Sequence, residues 1–160
     1  MTTELTLLLP ALRRFAYSLT GNMADADDLL QNTVVKLLDA PPAAGIPLLQ
    51  WSFRVCRNLW IDDYRAKKVR QHTTLDDAAE LAGEDGEHAA INEITLTEVN
   101  RAMNNLPDEQ REVLSLVAVQ GMSYCEAAGV LAIPQGTIMS RLARARVAMV
   151  DALKYTGVLA

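Results

Sequence analysis

The sequence GMSYCEAAGVLAIPQGTIMSRLARAR, residues 121–146, has the pattern of a helix, a short turn and a second, arginine-rich helix. Ser123 is placed to cap a first helix over residues 124–131, because a serine followed three residues later by a glutamate, here Glu126, forms a capping box. The segment Pro134-Gln135-Gly136 predicts a tight turn, and the second helix then runs over about 137–155. This order of elements is typical of a helix-turn-helix.

The two sides of the second helix differ in composition. Apolar residues recur at helical spacing and are predicted to pack into the core: Ile138, Leu142, Ala145 and Met149. The other side can bind DNA, because arginine donates two hydrogen bonds to guanine in the major groove and hydroxyls hold phosphates. The candidate duplex-binding residues are Ser123, Thr137, Ser140, Arg141, Arg144 and Arg146. The alternative is a solvated basic face on a helical hairpin.

Helical periodicity extends over most of the remaining chain. It predicts helices over about 4–20, 24–39, 48–69, 90–105 and 108–119. The first two are separated by Gly21-Asn22, and a proline-rich and glycine-containing segment, residues 40–47, follows the second. No stretch alternates strongly with period two, so the predicted fold class is all-α.

The net charge of −5 is unevenly distributed along the 160 residues. Residues 1–71 carry a net charge of +2 and residues 101–160 carry +1, whereas residues 72–100 contain eight acids and no lysine or arginine. Such asymmetry indicates either polyanion binding or a solvated linker between two lobes. We therefore predict two helical domains, residues 1–71 and 90–160, joined by a flexible acidic linker over residues 72–89.

Several classes of protein are disfavoured. No apolar run approaches the roughly 18 residues that span a bilayer, so no membrane insertion is expected. Cys56 and Cys125 are too far apart for a CxxC pair or a zinc site, and a reducing cytoplasm is the simplest compartment. His72 and His88 have no nucleophile or ligand cluster near them in the sequence, and no glycine-rich phosphate loop is present. We expect no enzymatic activity, metal, cofactor or small-molecule substrate.

The predicted helix 48–69 combines cations with aromatic rings. At about 100° per residue, its cations cluster within one arc, which is bordered by Asn58 on one side and by Trp60 and Tyr64 on the other. Stacking rings beside cations suit single-stranded nucleic acid, whose bases stack and whose phosphates need neutralising. The alternative is that Trp60 and Tyr64 lie at the edge of a helical core. The cations of the arc are Arg54, Arg57, Arg65 and Lys68.

Taken together, these residues resemble the extracytoplasmic-function (ECF) sigma factors of bacterial RNA polymerase over nearly the whole chain. LPDEQREVL (106–114), GMSYCEAA (121–128) and GTIMSRLARAR (136–146) resemble the family's −35-binding domain. DADDLLQ (25–31) is similar to the helix that binds the polymerase β′ clamp helices. RNLWIDDYR (57–65) is similar to the segment that recognises and melts the −10 element. Residues 18–22 and 123–128 also resemble the alphaproteobacterial general-stress branch.

The resemblance implies a region 2 bundle, a region 4 helix-turn-helix and a function in promoter recognition and transcription initiation. The partners it implies are core RNA polymerase (β′ clamp helices and β flap), promoter DNA and an anti-sigma factor. It implies core-polymerase contacts at Asp25, Asp27, Asp28, Leu29 and Gln31. It implies −10 contacts at Arg54, Arg57, Asn58, Trp60, Tyr64, Arg65, Lys67 and Lys68.

The chain departs from the family pattern at three places. Met139 stands where members usually carry lysine or arginine, Asp63 stands where many carry a base, and the loop 41–50 is short. Two alternative functions therefore stay open. One is a sigma-like decoy that binds an anti-sigma protein, and the other is a helix-turn-helix regulator that does not bind core polymerase.

Overall fold

The computed structural model describes residues 2–64 and 91–156, which form helices and connecting turns with no β-strand among them. The all-α prediction is confirmed. The first half, residues 2–64, contains α1 (Thr2–Thr20), α2 (Met23–Asp39), α3 (Leu48–Leu59) and a π-helical segment, π1 (Trp60–Tyr64). The second half, residues 91–156, contains α4 (Ile91–Asn104), α5 (Asp108–Leu114), the π-helical segment π2 (Ser115–Val119), α6 (Tyr124–Leu131) and α7 (Gln135–Thr156).

Two predicted helices widen into π-helical turns. The predicted helix 48–69 is α-helical only to Leu59, and the predicted helix 108–119 only to Leu114. In the second case the wider turn closes through a hydrogen bond from the amide of Gln120 to the carbonyl of Ser115, 3.0 Å long and five residues apart. A π turn adds a residue per turn and shifts the faces of the helix that follows. A helical wheel drawn at 100° per residue therefore assigns the wrong faces to residues after Leu59 and after Leu114.

The capping box predicted at the start of α6 is confirmed. The Ser123 hydroxyl oxygen accepts from the amide of Glu126 at 3.0 Å, and the Glu126 carboxylate accepts from the amide of Ser123 at 2.9 Å. Both orphan donors at this helix start are thereby satisfied. Asn22 caps α2 in the related way, accepting from the amide of Asp25 at 2.8 Å.

The turn between α6 and α7 differs from the prediction. The residue in the left-handed conformation is Ala132, with φ of 58°, and the carbonyl of Pro134 accepts the first hydrogen bonds of α7 from Thr137 and Ile138. Because α7 already begins at Gln135, directly after Pro134, Gly136 lies inside its first turn and is not a turn residue. The prediction of a turn at 134–136 was therefore wrong by two residues, although the helix-turn-helix itself is present.

The two halves share one hydrophobic core. Phe15 and Phe53 meet edge to face in the first half, with ring centroids 5.0 Å apart. In the second half Ile138, Leu142 and Ala145 are buried as predicted, and Met149 packs against the core partly exposed. Buried residues of both halves form a continuous cluster. The sequence predicted two lobes but not this direct packing. The predicted linker, 72–89, lies outside the described residues.

Candidate polymerase and promoter interfaces

The acidic start of α2 presents only part of the predicted polymerase-binding set. Asp28 and Gln31 are exposed, whereas Asp25 is held by the side-chain amide of Asn22 at 2.9 Å and Asp27 pairs with Arg13 at 3.2 Å. Leu29, also in the predicted set, is fully buried. Its side chain fixes α2 to the core and cannot contact a partner in this structure. Asp28 and Gln31, three residues apart on one face, are the side chains free to meet one.

Arg54 and Arg57 of α3, both predicted to contact −10 DNA, are bound to the second half of the chain. Arg54 donates to the carbonyls of Gly129 and Val130, at the end of α6. Arg57 donates Nε to Glu112 Oε1 at 2.7 Å and Nη2 to Oε2 at 3.2 Å, a bidentate ion pair. Both guanidinium groups therefore have acceptors that a nucleic-acid phosphate would have to replace.

Glu112 lies almost wholly inside the protein, with 1% of its surface exposed. Burial raises the pKa of its carboxyl group, and the hydrogen bonds and charge of Arg57 only partly offset this effect. The pair is thus electrostatically costly to bury. Arg57 also donates to Asn58 Oδ1 at 3.1 Å, and Asn58 is itself exposed.

Trp60, predicted to contact −10 DNA, is buried in this structure. Only 5% of the residue is exposed, and it packs in the core shared by the two halves. The π turn that begins at Trp60 interrupts the straight helix on which the predicted arc depended. In this structure the indole supports the fold and has no open face for a base. The side chain of Tyr64, and all of Arg65, Lys67 and Lys68, lie outside the described residues.

The predicted duplex-binding face of α7 is open to solvent over much of its length. Ser140, Arg144 and Arg146 are exposed, Thr137 is half-buried, and Met139 is 52% exposed, off the core face as predicted. The Ser140 hydroxyl donates to the carbonyl of Thr137 at 3.2 Å.

Two members of the duplex-binding set also have roles inside the fold. Arg141 lies 3.7 Å from the carboxylate of Glu109 and is partly covered. Ser123 uses its oxygen as a cap, which leaves its hydroxyl hydrogen to donate to a phosphate.

Arg111 is a buried cation that the sequence analysis did not single out. Its residue exposure is 3%; Nε donates to the carbonyl of Ser18 at 2.8 Å and Nη2 donates to Asn104 Oδ1. Burial lowers the pKa of the guanidinium to about 10. Arg111 thus joins α5 to the end of α1. The signal that could have revealed it is the charged pair Arg111-Glu112, which directly precedes the apolar pair Val113-Leu114 in a predicted helix.

An apolar groove runs between α1, α2 and α4. Its volume is about 1190 Å³, and its lining includes Leu9, Tyr17, Met23, Leu30, Leu96 and Val99. Met23 and Leu96 are strongly exposed for apolar residues, at 48% and 67%. Arg13 and Arg14 also line it. Such a surface can take the apolar face of a helix.

The described segments contain no helix that is both long and apolar enough to cross a membrane. Residues 5–70 match the Sigma-70 region 2 family, and residues 96–149 match the Sigma-70, region 4 family. We refer to these two parts below as region 2 and region 4. The domain boundaries predicted from sequence, at 71/72 and 89/90, stay a prediction.

Relatives with assigned names match over most of the chain. The ECF RNA polymerase sigma factor EcfG of Rhodopseudomonas palustris is 37% identical over 158 residues, covering 95% of this chain and 83% of its own. The ECF RNA polymerase sigma factor SigC of Mycobacterium tuberculosis is 35% identical over 131 residues, covering 81% and 70%.

Two solved structures have the same fold. The sigma factor RpoE in complex with the anti-sigma factor NepR, from Bartonella quintana, superposes with a TM-score of 0.77 at 31% identity and covers 96% of each chain. CnrH in complex with the cytosolic domain of CnrY superposes with a TM-score of 0.71 at 25% identity, covering 96% of this chain and 87% of the other. With both Sigma-70 regions matched and relatives above 30% identity along most of its length, the chain belongs to the ECF sigma factors of RNA polymerase.

Proposed function

We propose that this sigma factor contacts core polymerase through the exposed side of α2 and reads −35 duplex DNA through α7, and that α3 with π1 meets the −10 element. The observation that carries the −35 assignment is the amphipathic character of α7. Ile138 and Leu142 are buried, whereas Ser140, Arg144 and Arg146 are exposed on a capped helix-turn-helix. An exposed basic face on such a helix fits the major groove.

Run-off transcription with purified core polymerase tests the function as a whole. We expect promoter-dependent transcripts from templates selected with the reconstituted holoenzyme. Core binding without any transcript would favour the decoy. Duplex binding without core binding would favour the helix-turn-helix regulator that acts alone.

The contact with core polymerase is assigned to Asp28 and Gln31. We expect Asp28→Arg with Gln31→Ala to weaken core binding while helical content and stability stay unchanged, since both residues are exposed. Asp39→Arg, at the exposed last position of the same helix, is the matched charge control. Wild-type recovery of the double variant with core polymerase would contradict the assignment.

We further propose that the groove between α1, α2 and α4 binds an anti-sigma protein. Two features support this proposal: the exposed apolar lining, with Met23 and Leu96, and the similarity to the sigma factor RpoE, whose solved structure contains the anti-sigma factor NepR. Leu96→Glu should abolish capture by the anti-sigma protein and leave run-off transcription intact.

The remaining expectations from sequence belong to the same proposal. The protein acts in the cytoplasm, where RNA polymerase is found, and it has no catalytic activity of its own. In the described residues no three histidine, cysteine or acidic side chains are grouped to hold a metal ion.

A further inference from the structure

Met139 is an apolar side chain on the side of α7 to which DNA binding is assigned. It is the only large apolar residue within residues 135–145 that is exposed. α7 is a continuous α-helix from Gln135 to Thr156, so Met139 is rotated by about 100° from the buried Ile138. The methionine side chain is therefore available to a partner outside the protein.

The neighbours of Met139 on this side of the helix are small. Gly136, one turn earlier, has no side chain, and a Cβ there would point into open space. Ala143, one turn later, is exposed and ends at a methyl group. Met139 and Ala143 are separated by a rise of about 6 Å along the helix axis. The thioether therefore projects beyond both neighbours and would reach a base edge before either of them.

The polar side chains closest in sequence to Met139 already have partners within the fold. The Ser140 hydroxyl donates to the carbonyl of Thr137 at 3.2 Å. Arg141 lies 3.7 Å from the carboxylate of Glu109 and is partly covered. These groups can contact DNA only with that geometry or after leaving it, whereas the methionine needs no rearrangement.

The position of Met139 along α7 is the one that reads bases in a helix-turn-helix. The residues at the N-terminal end of the second helix contact base edges, and Met139 is the fifth residue of α7. Arg144 and Arg146 follow it on later turns and are exposed, so they can bind the phosphates that border the groove. An apolar group thus lies where a base edge is expected, with cations beside it.

Thymine is the base that offers such a group a partner in the major groove. It carries a 5-methyl group there, whereas adenine and cytosine present amino donors. A thioether is only a weak acceptor, so an amino group covered by it would lose its hydrogen bond to water without adequate replacement. A methyl group covered by it gains, because apolar surface of both partners leaves water.

We infer that Met139 reads thymine in the −35 element by contact with the 5-methyl group of the base. The inference rests on the proposed −35 role of α7. The methionine stands where the resembling sequences usually carry lysine or arginine, and it would supply base preference in place of affinity for phosphate. Loss of one covered methyl group should weaken binding by about fourfold.

Replacement of thymine by uracil removes this methyl group and leaves the hydrogen-bonding edges of the base unchanged. A duplex is first selected from random double-stranded DNA for binding to the full chain. Each thymine of the selected site is then replaced by uracil in turn, and affinity is measured by fluorescence anisotropy at fixed low salt. The proteins compared are wild type, Met139→Ala and Val150→Ala, which truncates an exposed apolar residue further along α7.

We expect uracil to weaken binding of wild type by about fourfold at one or two positions of the site. Met139→Ala should bind the thymine duplex about as weakly as wild type binds the uracil duplex, and uracil should cost it nothing further at one of these positions. Val150→Ala should discriminate like wild type. Alanine is the best helix former and Met139 is exposed, so we expect urea denaturation to show both variants folded.

Two results would overturn the inference alone. One is a selected site with no fixed A·T pair, or with uracil tolerated at every position by wild type. The other is full discrimination retained by Met139→Ala, since the methyl group would then be read elsewhere. Failure of the chain to select any duplex would instead overturn the proposed −35 role of α7 together with the inference.

Discussion

Met139→Arg tests whether the exposed side of α7 faces DNA. Met139 is 52% exposed, and its neighbour one turn earlier, Gly136, has no side chain and open space on the side where a Cβ would point. The aliphatic stem of arginine can cover the surface that the methionine covers, so we expect the free energy of unfolding to change by no more than about 0.5 kcal/mol.

The phosphate contact added by Met139→Arg should appear in the salt dependence of duplex binding. One added phosphate contact steepens the log–log slope of affinity against salt by about 0.9. Between about 50 and about 200 mM salt, the variant should therefore lose about 3.5-fold more affinity than wild type, starting from tighter binding at low salt. Titration of the full chain with −35 duplex at several salt concentrations measures the slope, and urea denaturation measures stability.

Val150→Arg is the matched control, since Val150 is 42% exposed on the same helix about 16 Å further along. It adds the same charge and should leave the slope near wild type. Equal slopes for Met139→Arg and Val150→Arg would refute the placement of DNA on this face. A large loss of stability in Met139→Arg would show that the methionine side chain contributes to packing even though it is 52% exposed.

Three further changes separate structural from functional roles. Ser123→Ala should lower the free energy of unfolding in urea by about 1 kcal/mol, because the capping box is lost. Ser123→Asp should keep the cap and weaken duplex binding. If the two variants had equal effects on stability and on duplex binding, this division of roles would be contradicted. Trp60→Ala should lower the free energy of unfolding by about 3–5 kcal/mol because the indole is core, and a stable variant with weakened oligonucleotide binding would return it to the −10 surface. The pKa of Glu112 is raised in the folded chain, so its contribution to stability is full below the unfolded pKa of about 4.3 and is lost as pH rises through the folded value. Wild type should therefore lose stability relative to Glu112→Gln as pH rises above about 4.3 in urea titrations, and a constant difference would count against the raised pKa.

Features that depend on neighbouring residues were predictable from the sequence. The capping box of Ser123 and the buried face of Ile138 and Leu142 follow from spacings of three and four residues, and the structure confirms them. The helix-turn-helix was also predictable, although its turn lies earlier because α7 already begins at Gln135.

Features that depend on contacts between distant segments were not predictable in this way. A helical wheel placed Trp60 beside the cations, but a π turn begins at this residue and its side chain is buried in the core. Arg54 and Arg57 look like free cations in the sequence, since Glu112 and Gly129 lie far away along the chain. Arg111 was missed for the same reason: its acceptor at Ser18 belongs to the other half.

Gly21 limits which sequences this fold can accept. Its φ of 83° alone would tolerate asparagine, which adopts the left-handed conformation more readily than most residues. Here a Cβ would lie 2.2 Å from Oδ1 of Asn104, the same atom that receives Arg111. A side chain at Gly21 must therefore push away the residue that orients a buried cation of region 4. The residue at position 21, at the end of α1 in region 2, is thus tied to Asn104 of region 4. A side chain at position 21 requires a compensating substitution at position 104.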